Sequence, residues 1–172
     1  MTNRQVHLLR HAKSAWDTPG LLDHDRPLAA RGWAACSALT RHLRITGVAP
    51  DLVLCSSAVR TQQTLSGIRD GLPADVDIVV DENLYGASAR TLLEALQRVP
   101  GEATTVLLIA HNPGIAALAQ SLCGSGDDDA RQRLTANYPT AALASFSFDG
   151  AWDRLDEQGA RLDAFVTPRD LG

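Results

Sequence analysis

Apolar positions in this chain follow two rhythms: short aliphatic runs that stop abruptly at polar or glycine-bearing segments, and longer stretches in which apolar residues recur at helical spacing. The runs predict strands near residues 5–10, 51–55, 76–80, 104–110, 142–148 and 163–167. Helical spacing predicts a helix over 29–45, on the recurrence of Ala35, Leu39 and Leu43, and further helices over 58–71, 88–98 and 113–123. Ser88 is a fitting N-cap for the third of these, and Pro113 suits the first turn of the fourth. Gly124-Ser125-Gly126-Asp127-Asp128-Asp129 reads as a polar, flexible break whose acids could stabilise the start of a short helix over 128–135. Strands alternating with helices predict an α/β fold, a three-layer sandwich with a mostly parallel sheet and helices on both faces.

A length of 172 residues with 45% hydrophobic content fits a single domain over 1–172 with a sizeable core, and no linker divides it. No apolar stretch approaches the roughly 18 residues of a membrane span. Met1-Thr2-Asn3-Arg4 leads directly into a strand pattern in place of a secretory segment, so a cytoplasmic, membrane-free location is expected. Cys36, Cys55 and Cys123 are an odd, widely spaced set, expected to be buried and reduced rather than paired or zinc-bound. A net charge of -4 and a pI near 5.6 speak against general nucleic-acid binding, although a local positive pocket is compatible with them. Lys13 is the only lysine.

The chemistry gathers where strands end. Val6-His7-Leu8-Leu9 runs into Arg10-His11, and Val106 to Ala110 runs into His111-Asn112-Pro113-Gly114. Leu52 to Ser57 feeds Arg60 into the start of a helix. Ligands of open parallel sheets bind beyond the carboxyl ends of the strands, so two imidazoles and two guanidiniums there form a cationic pocket suited to a phosphate. His7, His24 and His42 lack this convergence and read as ordinary hydrogen-bonded histidines.

At these residues the chain resembles the histidine phosphatase superfamily, with its phosphoglycerate mutase-like fold. Leu8-Leu9-Arg10-His11-Ala12-Lys13-Ser14 is similar to the family's Arg-His-Gly signature in the form used by its short, SixA-like phosphohistidine phosphatase branch. Ala12 stands where the wider family has glycine. The resemblance continues through Arg26-Pro27-Leu28 with Gly32, Ser56 to Thr61 with Thr64, Leu84 to Ser88, His111 to Gly114 and Tyr138 to Ala144.

That resemblance implies a phosphatase in which neutral His11 is the nucleophile, its pKa depressed by flanking guanidiniums. Arg10 and Arg60 would grip phosphate oxygens, and His111, if protonated, would add a third donor. Water would then hydrolyse the phosphohistidine intermediate, with no metal or organic cofactor. Protein phosphohistidine is the leading substrate, a small phosphomonoester the alternative. For the proton to the leaving group, Glu82 is the first candidate, because Glu82-Asn83-Leu84-Tyr85-Gly86 is similar to the acid-bearing element of the phosphoglycerate mutases. Asp23 is the second, three residues before Arg26-Pro27-Leu28, and Asp17 and Asp25 also compete.

Three rival readings remain open at this point. Cys55 and Arg60 fall one residue short of the spacing in cysteine-dependent phosphatases and lack the glycine that lets a loop wrap phosphate. A non-enzymatic phosphoryl carrier or binding module would hold phosphate stably on His11. His7 and His11 as a metal pair sit on a strand without an evident third ligand.

Overall fold

The computed structural model describes residues 2–172. Its strands are β1 (Asn3–Arg10), β2 (Leu52–Ser56), β3 (Asp77–Asp81), β4 (Thr105–Ala110), β5 (Cys123–Gly126), β6 (Leu143–Asp149) and β7 (Ala160–Val166). Its helices are α1 (Ala30–Thr46), α2 (Val59–Ile68), α3 (Ala89–Gln97), α4 (Gly114–Leu122) and α5 (Asp128–Ala136). The strands form one sheet in the order β3-β2-β4-β1-β6-β7-β5. β3, β2, β4 and β1 are mutually parallel, β6 runs antiparallel to both β1 and β7, and β5 is parallel to β7.

Central strands are covered on both sides, which is why β4 reads as an unbroken apolar run in place of an alternation. On one face, Leu8 and Leu108 pack with Leu92 of α3, Leu118 of α4 and Leu134 of α5. On the other, Leu9, Val53 and Ile109 pack with Leu39 and Leu43 of α1 and Ile68 of α2. These are the three expected layers. Replacing a fully buried leucine such as Leu107 by alanine removes packed methyl groups and leaves a void, at a cost of about 2–5 kcal/mol. No helix among the described residues is long and apolar enough to cross a membrane.

Helix ends follow their local chemistry. Ser88 caps α3 by accepting from the Thr91 amide, and Asp127 caps α5 by accepting from Ala130. Gly47, with φ 71°, ends α1 in the left-handed region. The α2 segment is shorter than expected, because its last turn tightens into a 3-10 turn over Arg69–Gly71.

The largest departure is β5. Cys123–Gly126, expected to be the end of a helix followed by a flexible break from Gly124, pairs in parallel with β7 at the edge of the sheet. A side chain at Gly124 would place its Cβ 2.0 Å from the Gln158 carbonyl oxygen. The glycine therefore permits close backbone approach, and with so little side-chain pattern the strand leaves no periodic signal. Cys36 and Cys55 are buried as expected, whereas Cys123, on this edge, is only half-buried.

Candidate active site

The register of the sheet assembles the site. Arg10 pairs with Ala110 at the ends of the parallel strands β1 and β4, so the next residues, His11 and His111, leave the same edge side by side. Their ring centroids are 5.2 Å apart. β2 ends at Ser56 on the same edge, and the first turn of α2 carries Arg60 back over His11.

His11 is 6% exposed. Its Nδ1 lies 2.8 Å from the Ala12 carbonyl oxygen, which can only accept, so Nδ1 carries the proton. Nε2 is left with a lone pair and accepts from Arg60 Nε at 3.4 Å. The pKa falls to about 4: burial is the largest cause, the Arg60, Arg10 and Arg26 guanidiniums add to it, and the bond to Ala12 opposes it. Desolvation thus outweighs the flanking cations that the sequence suggested as the cause.

One buried hydroxyl fixes the loop after the nucleophile. Thr64 Oγ1 accepts from the Ala12 amide at 2.9 Å and donates to the Arg60 carbonyl at 2.7 Å. The Arg60 side chain has a partner at every nitrogen: Nε on His11, Nη1 on the Asp23 carbonyl at 2.7 Å and Nη2 on Asp23 Oδ2 at 3.0 Å. Arg10 donates from Nη1 to the Tyr138 carbonyl, and its Nε is buried without a partner.

His111 pairs through Nε2 with the Ser56 hydroxyl at 2.7 Å, while Nδ1 is buried and unpartnered. Burial, then His11 and Arg60, depress its pKa to about 3. In the resting site it is therefore neutral near pH 7, with Nε2 already engaged by the Ser56 hydroxyl.

The structure brings Asp23, not Glu82, to the arginines. Asp23 accepts from Arg60, from Arg26 Nε at 3.2 Å and from the Tyr85 hydroxyl at 2.5 Å. The Tyr85 bond, then those to Arg60 and Arg26, pull its pKa down to about 2 against the opposing effect of burial. Glu82 is exposed at the start of the 3-10 turn Glu82–Leu84, and its side chain makes no hydrogen bond or ion pair among the described residues. Asp81 caps that turn by accepting from the Asn83 amide. The element then delivers Tyr85, whose ring meets His111 edge-on at 5.4 Å and His24 at 4.8 Å. Asp17 and Asp25 are exposed, and Asp25 lies near His24.

Five neighbours had no role assigned from sequence: Ser56, Thr64, Tyr85, His24 and Arg26. Four stand inside the quoted motif segments, which was the available signal. His24 received the ordinary reading, yet it bonds Ser57 through Nε2 at 2.9 Å and packs on Tyr85 at the pocket rim. Arg26 is steadied from outside by the exposed Trp16 ring, 3.4 Å from its Cζ. His7 bonds Ser145 at 2.7 Å within the sheet, and burial lowers its pKa to about 4. Cys55 sits in the apolar cluster with Leu9 and Ile109, where burial pushes its thiol up to about 12, the opposite of an activated nucleophile. Among the described residues, no group of three or more His, Cys, Asp or Glu side chains is arranged so that it could hold a metal ion.

The chain is 38% identical over 165 residues to an uncharacterised Mycobacterium leprae protein, covering 94% of this chain and 100% of the relative. It is 27% identical over 148 residues to the phosphohistidine phosphatase SixA of Escherichia coli, covering 84% of this chain and 86% of that protein. A Nakamurella multipartitia structure, described as a candidate phosphohistidine phosphatase SixA, superposes with a TM-score of 0.83 at 31% identity over 98% of each chain. A Plasmodium falciparum phosphoglycerate mutase shares the fold at a TM-score of 0.62 and 17% identity, over 96% of this chain and 91% of that one. The family model described as the histidine phosphatase superfamily, branch 1, matches residues 6–88, the half that carries Arg10, His11, Asp23 and Arg60. The chain belongs to the histidine phosphatase superfamily.

Proposed function

We propose that this phosphatase hydrolyses protein phosphohistidine through a covalent phosphohistidine on His11, with no metal ion in the chemistry. The observation that carries this reading is the fixed tautomer of His11: Nδ1–H is engaged by Ala12, and the Nε2 lone pair points to Arg60. Such a nitrogen is unprotonated at neutral pH and stands beside a cation that can offset the charge of a transferring phosphoryl group.

In the first step the Nε2 lone pair forms a bond to phosphorus as the substrate's P–N bond breaks. The released electron pair returns to the substrate imidazole, which departs neutral when its other nitrogen carries a proton. In the second step water attacks phosphorus, the bond to His11 breaks with its electrons returning to Nε2, and the surplus proton of water passes to phosphate or solvent. Arg10 and Arg60 hold the equatorial oxygens, supplying the charge that a divalent cation supplies in other phosphoryl-transfer enzymes.

The leaving group is argued from acidity. Asp23 stays ionised down to about pH 2, and Glu82 stands outside the network, so the resting site holds no protonated carboxyl beside His11. That suits phosphoramidates, which leave readily, better than alkyl esters, whose alkoxides need a strong acid. The similarity to the E. coli phosphohistidine phosphatase favours the same substrate class.

The test is rapid-quench labelling with a phosphohistidine peptide in EDTA. The expected result is multiple turnovers through an acid-labile, alkali-stable phosphoryl-enzyme that His11→Ala abolishes and Cys55→Ser retains. Labelling of His11 without turnover would establish a carrier instead. Dependence on a divalent ion would overturn the metal-free chemistry.

A further inference from the structure

The chain carries 20 acidic residues against 16 Lys and Arg, yet one groove beside the catalytic pocket is lined by four cations: Lys13, Arg31, Arg133 and Arg169. It consists of two adjoining concavities of about 290 and 520 Å³ that share Arg31, Thr140 and Pro168, an elongated shape larger than a single phosphate needs.

Its position follows from the sheet. Leu9 near the end of β1 pairs with Leu143 at the start of β6, and Leu143 pairs with Val166 at the end of β7. The turns before β6 and after β7 therefore leave the same edge as His11. The segment from Tyr138 to Ala141 is the shared wall. On the catalytic side the Tyr138 carbonyl accepts from Arg10, and the Ala141 amide donates to the carbonyls of Arg10 and His11. On the other side Pro139 and Thr140 line the groove. At the opposite margin, the Lys13 carbonyl accepts from the Ala29 amide, which ties Lys13 to the start of α1, where Arg31 stands.

Three of the four charges are without an ion pair among the described residues. Asp170 is the acidic side chain lining the groove, and its carboxylate already accepts from the Thr167 amide, the Thr167 hydroxyl and Arg133. Lys13, Arg31 and Arg169 form no ion pair among the described residues, although Gly172 lies at the Lys13 end. An elongated cationic surface on a chain of net charge -4 attracts a local anionic segment, whereas extended nucleic acid would meet the acidic remainder of the molecule.

We propose that this groove docks an acidic segment of the phosphoprotein substrate while the phosphoryl group enters the His11 pocket. The inference rests on the protein-substrate reading above. It assigns the groove a part in choosing among phosphoproteins and none in bond breaking.

The experiment compares two phosphohistidine peptides, one with acidic and one with neutral flanks, each read against aryl phosphate turnover by the same enzyme. Wild type should prefer the acidic peptide in kcat/KM at low salt, and that preference should shrink as salt shortens the range of charge interactions. Arg31→Glu with Arg169→Glu should reduce the preference by about tenfold, through KM, and the milder Arg31→Gln with Arg169→Gln should reduce it in part. An equal preference in wild type, or a preference unchanged in a folded variant, overturns the docking site. Competition by single-stranded RNA in place of an unphosphorylated acidic peptide overturns its assignment to a protein segment. Hydrolysis of aryl phosphate with no turnover of either peptide instead defeats the protein-substrate reading itself, a result distinct from the others.

Discussion

Asp23 holds Arg60 at two points, its carbonyl oxygen on Nη1 at 2.7 Å and its carboxylate on Nη2 at 3.0 Å. Both tips of the guanidinium fork are thus already engaged by one loop residue, Nη2 by its carboxylate and Nη1 by its backbone carbonyl. Tyr85 and Arg26 keep that carboxylate in place. On the proposed reading, a phosphate that reaches Arg60 displaces the Asp23 carboxylate, one anion for another on the same cation.

The first prediction follows from this exchange. Asp23→Asn removes the competing charge while keeping a similar shape, so vanadate should bind several-fold more tightly, as measured by inhibition of aryl phosphate hydrolysis. Turnover of phosphohistidine and aryl phosphate should persist. A selective loss of alkyl phosphate turnover in Asp23→Asn would make Asp23 the general acid, and the same loss confined to Glu82→Gln would return that role to Glu82.

A second prediction concerns pH. His7 and His11 have pKa values lowered to about 4, and His111 to about 3, against an ordinary 6.5. The unfolded chain therefore binds more protons than the folded one once pH drops below 6.5. Stability contributed by these neutral, buried rings is present above 6.5 and declines as pH falls toward 4 and then 3. The free enzyme should keep its nucleophile unprotonated across the same window. The acid limb of aryl phosphate kcat/KM that comes from His11 should fall near pH 4, while denaturant midpoints already drop between pH 6.5 and 4.5. An acid limb at 6.5 would show that His11 titrates as if it were exposed.

The contrast between these residues shows what the sequence could carry. Arg10, His11 and His111 were legible because they close apolar runs, and runs of that kind align in register when they form neighbouring parallel strands. Arg60 was legible as the first turn of a helix entered from such a strand. The sequence put Glu82 before Asp23, and the order reverses at the arginines because the placement depends on turn geometry: Asp81 caps its own turn, Tyr85 faces the pocket, and a loop residue 37 positions before Arg60 reaches it. β5 escaped for the opposite reason, since its glycines signal close backbone contact only when β7 is already beside them.

A third prediction isolates Thr64, whose hydroxyl bonds to backbone groups on both sides and not to the His11 ring. It accepts from the amide of Ala12 and donates to the carbonyl of Arg60, thereby coupling the nucleophile's loop to the helix that carries its cation. Thr64→Val keeps the volume but leaves the buried Ala12 amide without an acceptor, at a cost of about 1–3 kcal/mol in stability. Thr64→Ser retains the hydroxyl and should lose far less. If Thr64 acts only on stability, Thr64→Val assayed well below its melting temperature will retain wild-type kcat. If it sets the His11–Arg60 geometry, as both hydrogen bonds indicate, kcat for aryl phosphate will fall about tenfold with little change in KM, and Thr64→Ser will restore most of it.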